Sequence, residues 1–157
     1  YVSEYYGNDR ITKWSPDLRF VAAFGETEIE GKRLTRPTGL AIDKEQTLWV
    51  ADACNHRIVR FSLDGKVLTA FGRFGQGPGE MRYPYDVSVS PDNTLLVCEY
   101  EGNRLQWFSK DGRSLRVWGR AGRAPGELFA PWGASYGPEG RVYVVDSLNS
   151  RVQVIRP

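Results

Sequence analysis

Arginine recurs at positions 10, 57, 104 and 151, and each interval is 47 residues. The same offset aligns their surroundings: Ile11, Ile58, Leu105 and Val152; Trp14, Phe61, Phe108 and Ile155; Gly25, Gly72 and Gly119; Pro37, Pro84 and Pro131. A fixed period of this length means that one supersecondary unit is copied along the chain. A copied unit of this kind buries its apolar faces against its neighbours.

One unit reads as four short strands, over residues 37–43, 47–51, 57–62 and 67–71. They are rich in β-branched and aromatic residues and are separated by Asp-, Asn- and Gly-containing turns, which tolerate positive φ. Ile58 and Phe61, with their equivalents, are apolar in every copy yet have opposite parity, so the strand projects apolar side chains from both faces. A sheet apolar on both faces belongs between two others, whereas an antiparallel sheet with one wet face alternates apolar and polar. The sequence therefore predicts an all-β protein, a β-propeller of four-stranded antiparallel blades. The expected layout is a partial blade over residues 1–25, blades at 37–72 and 84–119, and a partial blade at 131–157, fourteen strands in all. That is about three and a half blades, whereas six blades at this period need about 282 residues. Further blades are expected from additional sequence or from a second chain, and open sheet edges make these residues prone to associate.

Asp52-Ala-Cys-Asn-His-Arg57 (DACNHR) combines an acid, a thiol, the single histidine and an arginine. Across the copies His56 aligns with Asp9, Asn103 and Ser150, and Cys54 with Gly7, Glu101 and Leu148, so neither residue type recurs. Asp52, Asn55 and Arg57 do recur, as Asp146, Asn149 and Arg151, with Arg10 and Arg104 in the other two copies. These residues are expected to build the turn and tie strand ends by charge-assisted hydrogen bonds. In the third copy Glu99 replaces Asp and Gly102 replaces Asn; in the first, strict alignment puts Tyr5 at the Asp position.

DACNHRIVRF and DSLNSRVQVI resemble the D-x-x-N-x-R core of NHL repeats, and FGRFGQGPGEMRYPYDV and WGRAGRAPGELFAPWGA resemble the loop between NHL blades. The resemblance spans nearly the whole chain. It implies a propeller, usually six-bladed, that binds a protein or peptide partner, or in some relatives RNA.

The composition, 41% hydrophobic and 25% charged with a net charge of +2, is that of an ordinary globular domain. No run approaches the roughly 18 apolar residues of a membrane-crossing helix. Cys54 and Cys98 are too far apart for a CxxC motif and read as two separate thiols. In an antiparallel meander alternate turns share a face, so the long inter-blade loops lie beside the D-x-x-N-x-R turns. On that face Arg73, Arg82, Tyr85, Asp86, Arg120, Arg123 and Trp132 form the expected binding set, because arginine and aromatic side chains make good anchors. Thr38, Tyr85 and Trp132 share one repeat position, which varies while its frame repeats. The function expected is therefore a non-catalytic binding scaffold. RNA is the alternative partner, since arginines interleaved with aromatics suit phosphates and bases, although acids share the face. A second alternative is a calcium-dependent propeller hydrolase or lyase completed by further blades; Asp86 is the one acid expected to face the channel. A three-histidine zinc site is excluded by the single histidine. No catalytic residue, metal ligand or cofactor other than that calcium is assigned.

Overall fold

The computed structural model describes residues 1–156; the last residue of the expected final blade, Pro157, lies outside the described residues. Fourteen strands form four antiparallel meanders. The first sheet holds β1 (Val2–Glu4), β2 (Arg10–Trp14) and β3 (Phe20–Phe24), and the second β4 (Pro37–Ile42), β5 (Thr47–Asp52), β6 (Arg57–Ser62) and β7 (Val67–Phe71). The third holds β8 (Pro84–Val89), β9 (Leu95–Glu99), β10 (Arg104–Phe108) and β11 (Ser114–Trp118), and the fourth β12 (Gly133–Tyr136), β13 (Val142–Asp146) and β14 (Arg151–Ile155). The only helical segments among the described residues are three single 3-10 turns. The chain is an incomplete β-propeller, and the repeat period and strand order agree with the sequence expectation.

Blade faces meet as the strand parity requires. All six residues of β5 are buried. Leu48 and Val50 pack toward the first blade with Ile11 and Phe61, while Trp49 and Ala51 pack toward the third with Val87, Leu95 and Phe108. Leu96, Cys98, Leu105 and Trp107 then meet Ala134, Val142 and Val144 of the fourth blade. Each fully buried large side chain contributes about 1.5–3 kcal/mol. The next repeat of the Leu96–Trp107 face is Tyr143, Val145, Val152 and Val154, which are 37–60% exposed.

Strands β4, β8 and β12 lie side by side on the inner wall. Ser88 Oγ donates to the Ala134 carbonyl at 2.9 Å, joining β8 to β12. Where β8 begins, Pro84 pairs with Glu99 and Asp86 with Cys98, so Tyr85 is an extra residue in the ladder. β4 bulges at the equivalent place, between Pro37 and Leu40. Such a bulge re-aims side chains, and these two lie at the mouth of the channel.

Candidate functional site

On the loop face each recurring turn closes the inter-blade loop ahead of it. The Asp52 carboxylate accepts from Arg57 Nε at 2.7 Å, from Asn55 Nδ2 at 2.9 Å and from the Thr35 amide at 2.7 Å. Arg57 also donates to the carbonyls of Ile29 and Lys32. Asp146 and Arg151 repeat this pattern with the Phe129 amide and the carbonyls of Arg123, Ala124 and Glu127. Asp52, Glu99 and Asp146 are each fully buried and each hold an arginine.

The two departures in this motif are chemically compensated. Glu99 is one methylene longer than Asp, and a Cβ on Gly102 would stand 2.7 Å from the Glu99 Cβ. Glycine at 102 therefore makes room for the longer acid, and Gln106 Nε2 donates to it at 2.6 Å, as Gln153 Nε2 does to Asp146 at 3.0 Å. In the first copy the acid is Glu4 rather than anything at Tyr5. Glu4 pairs across the ladder with Arg10, accepts its Nε at 3.0 Å, and also accepts from Asn8. The turn there is one residue longer, which carries the acid out of the strict register.

His56 has a structural function. Its Nδ1 accepts the amide of Tyr83 in the next blade at 3.1 Å. Asp9 Oδ1 accepts from the Arg36 amide and Asn103 Oδ1 from the Ala130 amide, again 27 residues ahead. What repeats at this position is an acceptor. Since the amide is the donor, Nδ1 must carry the lone pair, and burial, aided by Lys32 and Arg82, lowers the His56 pKa despite Glu101 and Asp52.

At the channel mouth Tyr85 stacks on Trp132 with centroids 6.0 Å apart and planes 17° apart. Tyr83 and Tyr100 pack against Tyr85 at 6.2 and 5.8 Å. The Arg36 guanidinium sits 5.4 Å from the Tyr5 ring and 5.6 Å from the Tyr83 ring, within cation–π range. Trp132 nonetheless leaves 55% of its surface in solvent. A cavity of about 250 Å³ opens between Tyr5, Thr38, Tyr85 and Trp132, with Asp86 in its wall. Asp86 Oδ2 accepts from the Ala134 amide at 3.1 Å, and no lysine or arginine lies within ion-pair distance. Burial, outweighing the Ala134 and Val87 amides, pushes its pKa up to about 6. A Cβ on Gly39 would lie 2.6 Å from the Asp86 Cα, so glycine there lets β4 approach β8.

Of the expected binding set, Tyr85, Asp86 and Trp132 come together here. The arginines do not join them. Arg73 and Arg120 are each bound to a glutamate seven residues on, Glu80 and Glu127, at 3.0 Å across their own loops. Arg82 lies over Phe74 at 5.7 Å, and Arg123 is exposed, with its carbonyl held by Arg151. Sequence reasoning passed over Arg36, Tyr5 and Tyr100. Their signal was the repeat position of Tyr85, which lies at the ends of the turns that carry them. Calcium takes about six to eight oxygen ligands. Asp86 is the single carboxylate lining this cavity, and among the described residues no three His, Cys, Asp or Glu side chains converge on one point. The residues present therefore do not fit a resident calcium ion.

The NHL repeat model matches residues 34–61 and 130–155, the two copies whose turns carry Asp, Asn and Arg together. No curated protein matches this chain in sequence. Among solved structures, a streptogramin B lyase superposes with a TM-score of 0.69 at 17% identity, covering 95% of this chain and 48% of that one. A catalytically inactive virginiamycin B lyase from Staphylococcus aureus with quinupristin gives 0.66 at 16% identity, covering 93% and 48%. A structure described as a putative gluconolactonase gives 0.63 at 19% identity, covering 92% and 44%. The chain thus spans about half the length of these structures, and at such identities the likeness is one of fold.

Proposed function

We propose that this chain is a non-catalytic binding segment of an NHL propeller, with a loop face that holds a protein or peptide partner at the channel mouth. The observation that carries this is Trp132, stacked on Tyr85 yet more than half exposed, at the solvent edge of a four-ring aromatic cluster centred on Tyr85. Aromatic anchors of this kind concentrate binding energy where a partner excludes water. Asp86 and Glu101 line the adjoining cavities, and Arg36 is already engaged by two tyrosines, which favours a peptide over the phosphates of RNA. A further blade, from additional sequence or a second chain, would cover Tyr143, Val145, Val152 and Val154. The test is selection of peptides from a random display library on the whole chain. Trp132→Ala or Tyr85→Ala should weaken the selected peptides by about 1–3 kcal/mol, while Lys66→Ala and Arg113→Ala on the far face should leave them unchanged. Dependence on the far face, or a uridine oligonucleotide displacing every peptide, would count against the proposal.

A propeller hydrolase or lyase is the second reading. It is favoured by Asp86, an unpaired carboxyl with a raised pKa, such as suits general acid–base work. Turnover of gluconolactone or quinupristin that Asp86→Asn abolishes would replace the scaffold with this reading.

A further inference from the structure

The fully buried acids near the blade ends all hold a cation, whereas the partly buried Asp86 is an exception. Asp52, Glu99 and Asp146 each take an arginine, and Asp43 takes Arg60 and Lys110. Asp86 takes none. Only backbone amides reach its carboxylate, that of Ala134 at Oδ2 and that of Val87. Beside it the Thr38 hydroxyl is buried without a hydrogen-bond partner. Tyr85 and Trp132 present nearly parallel ring planes, and Tyr5 closes the opposite wall. The cavity thus offers a carboxylate without a counter-ion, a hydroxyl without a partner and flat electron-rich faces. Together these are the complement of a planar cation that donates several hydrogen bonds in its plane and stacks on rings. The molecule already shows this packing next door, where the Arg36 guanidinium lies between Tyr5 and Tyr83.

We propose that this cavity receives an arginine side chain of the partner, its guanidinium stacked on Trp132 and Tyr85 and donating to Asp86 and the Thr38 hydroxyl. This rests on the reading of the loop face as a peptide-binding surface, and it names the residue that the surface reads. A lysine ammonium matches the site less well. It is a more strongly hydrated point charge, without the flat face that stacks on a ring.

The test uses peptides selected by display on the whole chain, each resynthesised with citrulline in place of every arginine. Citrulline keeps the shape of the side chain and removes its charge. Binding is followed by calorimetry on the parent protein, Asp86→Asn and Trp132→Ala. Asparagine at 86 can still accept from the Ala134 amide, and the exposed Trp132 ring can be removed with little effect on folding. The proposal expects selected peptides to share an arginine. Citrulline should weaken binding to the parent at least tenfold and cost nothing further on Asp86→Asn. Peptides that need Trp132 but tolerate citrulline would overturn the guanidinium site and leave the loop-face reading standing. Peptides indifferent to Trp132→Ala, or a library that yields no binder, would overturn both. Stoichiometric calcium bound by the parent and lost in Asp86→Asn would also overturn it, by assigning the carboxylate to a metal.

Discussion

Asp52 lies at the end of β5, fully buried, with four hydrogen bonds to its carboxylate from Thr35, Asn55 and the Arg57 guanidinium, whereas Asp86, on the strand paired with the one that carries Glu99, has backbone amides and no cation. Asp52 is wholly shielded from water and Asp86 in part, and both occupy positions where a neighbouring blade comes close. Asp52 belongs to a motif repeated through the chain and is satisfied from within. Asp86 stands where Gly39 and Gly133 stand in the adjoining copies, and its carboxylate lines the cavity at the channel mouth. In a repeat protein, charge that recurs holds the copies together, and charge that occurs once and is unpaired is available to something outside the fold.

Substitutions at four positions press on that contrast. Arg57→Ala leaves Asp52 buried without its counter-charge and frees the carbonyls of Ile29 and Lys32, so denaturant unfolding should show a loss of about 3–5 kcal/mol. A loss below about 1 kcal/mol would mean that the turn is not what closes the blade. Gly39→Ala pushes a methyl group onto the Asp86 backbone and should cost about 1–3 kcal/mol, with a lowered thermal midpoint as the readout. His56→Ala strands the Tyr83 amide at the junction between blades, a loss of about 1–2 kcal/mol. His56→Asn, which copies Asn103, should restore it. The lowered His56 pKa fixes the sign of its pH dependence. Its contribution is complete above the ordinary value of 6.5 and fades as the pH falls through the lower native value, and His56→Asn should abolish that fall. The smallest effect runs the other way. Asp86 binds its proton near pH 6 in the fold and near 3.8 outside it, so the cost of ionising it is complete above about pH 6 and disappears below about pH 4. Asp86→Asn should therefore stabilise the protein at pH 7.5 by on the order of 1 kcal/mol, with the gain shrinking across that window. A destabilised Asp86→Asn protein at neutral pH would show that the acid is as well satisfied as Asp52.

The architecture was legible because every copy must satisfy the same contacts, so the period, the strand parity and the turn arginine appear four times over. The site was legible only in part. Tyr85 and Trp132 stood out as variable residues in a constant frame, and Asp86 as an acid where glycine is usual. Two of the arginines are held within their own loops, since Glu80 follows Arg73 and Glu127 follows Arg120 at the same spacing of seven, a pairing that counting acids on the face does not reveal. The acceptor at His56 was hidden for a different reason. Aspartate, asparagine and histidine share a lone pair and little else, so aligning residue types conceals what they have in common. Glu4 was hidden by an inserted residue, which strict counting cannot follow.

The Glu99–Gly102 pair bears on how such a repeat array can drift. With asparagine restored at 102 but Glu99 kept, the new side chain would collide with the acid; with Glu99 shortened to aspartate first, the carboxylate could still take the Arg82 amide, Arg104 and Gln106, as Asp146 takes the Phe129 amide, Arg151 and Gln153. The way back to the sequence of the neighbouring copies is therefore open in one order, acid first and asparagine second, and closed in the other. The third blade can rejoin its siblings by point mutations, but only along a path whose steps do not commute.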